Sequence, residues 1–179
     1  EGYLDAARQF YNFLVRPNKL GGLMTEENSF HVFQEYALPK MTNSPSSVLN
    51  GHIYAIDGLF WYAEISQDTR AKTILSEVLI DLNANIKNYR SFFFSYYDLL
   101  GNYANHHYHR LHIKQLGRVS AYSKLIGLNE LNEVERTKRL WTVLNICRPL
   151  GYIERLILNR NRMIYVILVF DMILMYLLS

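Results

Sequence analysis

The chain has 179 residues, half of them hydrophobic and a fifth charged, which excludes a disordered or low-complexity polymer and allows one domain with a packed core. The net charge of +3, from 19 Lys and Arg against 16 Asp and Glu, is too small to point to nucleic acid, though it suits an anionic substrate if the cations share a cleft. A single cysteine, Cys147, excludes an internal disulfide, so packing alone must hold the fold.

Residues 2–16 predict a helix, because Leu4, Ala7, Phe10, Phe13 and Leu14 recur at helical spacing before Pro17 and Gly21-Gly22 end it. The chain opens inside this helix with neither initiator Met nor leader, and so reads as a piece of a longer protein. Residues 17–46 read as loop with one extended stretch, Phe30 to Tyr36. The run Ser44-Pro45-Ser46-Ser47 offers hydroxyl caps for a helix reaching about Ile65, which buries Leu49, Ile53, Ile56 and Phe60.

Asp68 can cap a third helix from Thr69 to Asn88, with Ile74, Val78, Leu82 and Ile86 forming one stripe. Residues 91–99 are aromatic and strand-like. Gly101-Asn102 breaks the chain, and helices follow from His107 to Ile126 and from Leu131 to Ile146. Beyond Pro149 and Gly151 the chain turns apolar. Met163 to Leu178 is interrupted only by Asp171 and is short of the roughly 20 apolar residues a spanning helix needs. The division expected is a helical domain over 1–150 and an apolar tail over 151–179, the tail serving as a membrane or packing helix.

Three stretches carry chemistry. The first is Phe33-Gln34-Glu35-Tyr36, followed by Pro39 and then Val48-Leu49-Asn50-Gly51-His52. The second is Tyr96-Tyr97-Asp98-Leu99, and the third is Asn105-His106-His107-Tyr108-His109-Arg110-Leu111-His112-Ile113-Lys114-Gln115-Leu116. On a helix, Tyr108, His112 and Gln115 share a face at i, i+4 and i+7. Four histidines within seven positions suggest metal. However, no cysteine lies nearby and the His-Glu-x-x-His arrangement is absent, so a polar, sugar-facing helix is the reading and no metal is assigned. Gly51 inside a helix is locally unfavourable by about 1 kcal/mol and implies close approach of some group.

Taken in order over roughly residues 3–126, these stretches resemble the C-terminal domain of the glucuronyl 5-epimerases, which convert glucuronate to iduronate within heparan-type chains. That family shows Glu-Glu-Tyr-Pro, then Val-Leu-Asn-Gly, then Tyr-Asp-Leu, then Tyr-His-x-x-His-x-x-Gln-Leu. Here the first Glu is Gln34, the Pro is displaced to Pro39, and Leu100 stands where the animal enzymes carry Arg.

The resemblance implies a mainly α fold, an incomplete (α/α) toroid-like array of antiparallel helix pairs with minor β elements. It implies catalytic weight on Glu35, Tyr36, Tyr97 and Tyr108. Substrate contacts are expected from Asn50, His52, Asn105, His106, His109, Arg110, His112 and Gln115. The partner implied is an acidic, heparosan-like polysaccharide, with no nucleic acid and no cofactor. A homodimer is the expected assembly, and a membrane contact would come through the tail. The compartment expected is cytoplasm or membrane in a bacterium and the Golgi lumen in an animal.

The proton on carbon 5 lies beside a carboxylate, and its removal makes an enediolate. One group takes the proton from one face and another returns it on the other. A phenol of ordinary pKa near 10 donates well, and accepts if cations lower that value. A polysaccharide lyase begins with the same abstraction and then eliminates at carbon 4, and a non-catalytic binding module would make the same contacts without chemistry.

Overall fold

The computed structural model describes residues 2–27, 30–37, 46–128 and 131–145. The apolar tail 151–179 and the Ser44-Pro45 part of the expected cap lie outside the described residues, as does Pro39.

Five helices dominate: α1 (Gly2–Leu14), α2 (Leu49–Ser66), α3 (Thr69–Asn85), α4 (His106–Leu125) and α5 (Asn132–Leu144). Two short strands, β1 (Met24–Glu27) and β2 (Phe30–Phe33), pair antiparallel with Met24 opposite Phe33. β1 falls within the stretch read as loop. The extended stretch expected to Tyr36 pairs only to Phe33, because Gln34 turns inward to bond Thr25 and Ser47.

The strand expected over 91–99 is instead a loop held by isolated bridges, Arg90 to Ser95 and Tyr96 to Tyr103. Its aromatic composition matches a strand, but it folds back within a few residues and no strand among the described residues runs beside it. The expected Ser cap on α2 is likewise replaced. The N-cap is Val48 without a side-chain bond, and the Leu49 N–H donates to the Tyr97 carbonyl at 3.0 Å. Asp68 does cap α3, its carboxylate accepting from the Arg70 and Ala71 N–H groups.

α2 and α3 form an antiparallel pair joined by Gln67 and Asp68, and Tyr89 just beyond α3 donates from its hydroxyl to the Ser47 carbonyl before α2. α4 and α5 form a second antiparallel pair. Trp141 near the end of α5 touches His109 and His112 near the start of α4. Across the pairs α2 and α4 run parallel, since Asn50 meets Gln115, Asp57 meets Arg118, and Phe60 stacks on Tyr122. Parallel helices place their first turns at one end of the domain, and that is where the chemistry-bearing residues stand. Two pairs do not by themselves close a ring.

Ile53, Ile56, Leu75, Leu79, Leu116, Val119 and Trp141 are fully enclosed in the core between these helices. Burying each such aliphatic chain contributes about 1.5–3 kcal/mol relative to leaving it in water. No helix among the described residues is long and apolar enough to cross a membrane.

Candidate active site

The segment after β2 carries Glu35 and Tyr36, both exposed. Three neighbours hold its backbone. Gln34 Nε2 donates to Ser47 Oγ at 2.9 Å, Asn18 Nδ2 donates to the Tyr36 carbonyl at 3.0 Å, and the Phe33 N–H donates to His52 Nδ1 at 3.1 Å. Glu35 then lies across the first turn of α2 at Gly51. A Cβ placed at 51 would meet Glu35 Cγ at 2.7 Å and Oε1 at 2.9 Å. The close approach expected from a glycine in a helix is therefore this carboxylate.

Tyr97 comes from the loop 91–105, whose course is set by its own acid. Asp98 Oδ1 accepts from the Leu100 and Asn102 N–H groups, and Oδ2 accepts from Asn102 Nδ2. Hydrogen bonds from Leu49 N–H to the Tyr97 carbonyl and from Leu99 N–H to the Ser46 carbonyl tie the loop to the start of α2. Tyr108 stands in the first turn of α4, where Asn105 Oδ1 accepts its N–H at 3.0 Å. The two tyrosine rings meet edge to face with centroids 4.9 Å apart.

Burial raises the Tyr97 phenol above its ordinary pKa, and the Glu35 carboxylate raises it further, followed by Tyr108 through charge and a hydrogen bond and then by Tyr36. The other three residues expected to carry catalysis thus all act on the Tyr97 phenol, although more than seventy positions separate Glu35 from Tyr108. The phenol is held protonated, which suits a proton donor.

The expected substrate contacts divide. His106 is half-buried and Arg110 exposed, and with His107, Leu111 and Lys114 they line a shallow cavity of about 250 Å³ on the outer face of α4. Asn105 is exposed but is occupied as the helix cap. His52, His109, His112 and Gln115 are completely buried, and Asn50 is 8 % exposed. These four enclosed residues cannot touch a polymer. Their helical spacing turned them into the core between α2, α4 and α5, because the face shared by Tyr108, His112 and Gln115 is the buried one.

Gln115 Nε2 donates to the Asn50 carbonyl and sets α4 against α2. Burial lowers His52 and His109 to about 4 and His112 to about 3, so all three imidazoles are neutral at pH 7. Among the described residues, no three His, Cys, Asp or Glu side chains gather as a metal site.

Sequence reading noted Gln34 only as a replaced Glu and Ser47 only as a helix cap, and it missed Ser95; all three are buried polar residues that fix the site's backbone. The one signal for Ser95 was a lone hydroxyl inside an aromatic run. A larger apolar groove of about 440 Å³ between α1 and α2, lined by Phe10, Trp61 and Ile65 among others, includes none of the residues above.

A family model described as D-glucuronyl C5-epimerase C-terminus matches residues 1–142. The chain belongs to the D-glucuronyl C5-epimerase C-terminus family. The matched region takes in β2, the 91–105 loop and the start of α4, so every element contributing to the tyrosine pair lies within the epimerase-family domain. An uncharacterized protein of Methanocaldococcus jannaschii is 31% identical over 120 residues, covering 65% of this chain and 38% of that protein. The epimerase-family chain therefore spans well under half the length of that relative.

Proposed function

We propose that this domain inverts carbon 5 of glucuronate residues in an acidic, heparosan-like polysaccharide, working with the rest of its polypeptide in an (α/α) toroid-like array. The observation that carries this reading is the edge-to-face contact of Tyr97 with Tyr108, with the Glu35 carboxylate close enough to help raise the pKa of Tyr97. Rings 4.9 Å apart leave no room for a sugar between Tyr97 and Tyr108. The pyranose therefore enters between the tyrosine pair and the Glu35-Tyr36 segment, and its two faces meet groups from different elements.

Glu35 takes the carbon 5 proton, the bonding electrons move into the substrate carboxylate as an enediolate, and the Tyr97 hydroxyl returns a proton to carbon 5 from the other face. The reset requires the exposed Glu35 to release its proton to solvent and Tyr97 to regain one, which Tyr108 relays from solvent through the hydroxyl contact. Arg110 and Lys114 form no ion pair among the described residues and supply positive charge for neighbouring uronates. Charge placed where the enediolate develops is commonly the largest contribution to such a step.

Incubation of the full-length protein with heparosan in heavy water, read by NMR, tests this. Deuterium at carbon 5 together with iduronate signals is the expected result. A new double bond absorbing in the ultraviolet would make the protein a lyase, and binding with no exchange would make the domain a non-catalytic polysaccharide-binding module.

A further inference from the structure

Ser95 is completely buried, and its polar atoms meet two imidazoles of α4. Its N–H donates to His109 Nδ1 at 3.1 Å, and its Oγ lies 3.1 Å from His109 Nδ1 and 2.8 Å from His112 Nδ1. Because a backbone N–H can only donate, His109 Nδ1 is an acceptor, and its neutral ring carries the proton on Nε2. Ser95 Oγ therefore bridges two neutral rings, its single hydrogen going to one Nδ1 at a time, consistent with the suppression of both pKa values by burial.

The geometry of the two elements relates this contact to the tyrosines. Tyr97 lies two residues after Ser95 in the 91–105 loop, and both meet α4, Ser95 at His109 and His112 and Tyr97 at Tyr108. His112 lies four residues after Tyr108 on a helix, where i and i+4 share a face. Ser95 to His112 and Tyr97 to Tyr108 are thus two rungs between the 91–105 loop and the first turns of α4, one polar and buried, one at the site.

We propose that Ser95 is a positioning residue that sets the stand of Tyr97 against Tyr108 by bonding His109 and His112. The catalytic part of this statement rests on the epimerase reading above. The spatial part does not, since it concerns only where one ring lies relative to the other. The rung matters for rate because a displacement of about 1 Å in a reacting group can cost about a hundredfold.

The experiment compares Ser95→Ala, His112→Asn and His112→Gln in the full-length protein. Asn places its amide near the position of imidazole Nδ1, and Gln places it near Nε2. Two readouts are taken: the nuclear Overhauser contact between the Tyr97 and Tyr108 rings without substrate, and kcat and KM for deuterium exchange into heparosan. Ser95→Ala and His112→Gln should lose the ring contact and show kcat about a hundredfold lower with KM unchanged. His112→Asn should keep both.

Retention of the ring contact in Ser95→Ala, with circular dichroism showing an intact fold, overturns the proposal. If Ser95→Ala does not fold, the two His112 variants decide, and identical behaviour of Asn and Gln overturns it. If no variant or parent exchanges deuterium, the epimerase reading fails while the ring contact still tests the role of Ser95.

Discussion

Glu35 lies directly over Gly51, with its Cγ 2.7 Å and its Oε1 2.9 Å from where a Cβ at 51 would stand. A glycine in the first turn of α2 thus lets a carboxylate from a different segment rest on the helix, close enough to raise the pKa of the Tyr97 phenol.

Gly51→Ala should separate stability from activity. Alanine favours the helix by about 1 kcal/mol over glycine. The Glu35 side chain is exposed and can swing away at little cost. The melting temperature should hold or rise, while deuterium exchange at carbon 5 falls by about a hundredfold as the carboxylate is displaced. Unchanged exchange in a folded Gly51→Ala would remove Glu35 from the mechanism.

Tyr97→Phe and Tyr108→Phe should each lower exchange by about a hundredfold to ten-thousandfold while leaving polymer affinity close to parental. The ring that packs in the edge-to-face pair remains, and only the hydroxyl is lost. Kinetics of label release, with binding measured separately on the same proteins, distinguishes these effects. Near-parental exchange in Tyr97→Phe would show that another group returns the proton.

Acid should destabilise the fold before the carboxylates titrate. His52 and His109 ionise at about 4 and His112 at about 3 in the folded chain, against 6.5 when unfolded. Burial is the main cause, reinforced for His109 by His106 and for His112 by His109, whereas Asp81 acts in the opposite direction on His52. Between pH 6.5 and about 4 the unfolded chain binds protons that the folded chain cannot, so stability is full above this window and falls as pH drops through it. Urea unfolding at several pH values checks the slope, and His52→Asn should reduce it by about one proton. A flat profile over this window would show that the imidazoles are not enclosed.

Asn83→Ala should loosen α5. Leu131, the N-cap of that helix, provides no side-chain bond, and Asn83 Oδ1 from α3 accepts the Glu133 and Val134 N–H groups at 3.0 and 3.2 Å instead. Loss of such a cap costs about 1 kcal/mol, and Asn83→Asp should restore it because a carboxylate also accepts and favours a helix start. Hydrogen exchange along α5, which places Trp141 against His109 and His112, is the direct measurement.

The helices and their faces were legible in the sequence because a 3.6-residue period is local information. Ile53, Ile56 and Leu82 are enclosed as their spacing predicted, and Asp68 caps the helix that it precedes. The order of short motifs likewise pointed to the epimerase family, since motif order is itself a property of the chain. The tertiary structure alone decided which polar residues face the site.

His109 and His112 have the same composition and spacing as sugar-facing histidines. They are buried because α5 and the 91–105 loop pack on that side of α4, a long-range choice that no local window contains. The aromatic run 92–97 looked like a strand because strand propensity measures fit to a half-buried surface, and here that surface is supplied by a folded-back loop beside helices. Ser95 illustrates the limit most clearly. A serine among aromatics stands out in the sequence but does not say what it bonds, and its role arises only when folding brings two imidazoles within hydrogen-bond distance of one hydroxyl.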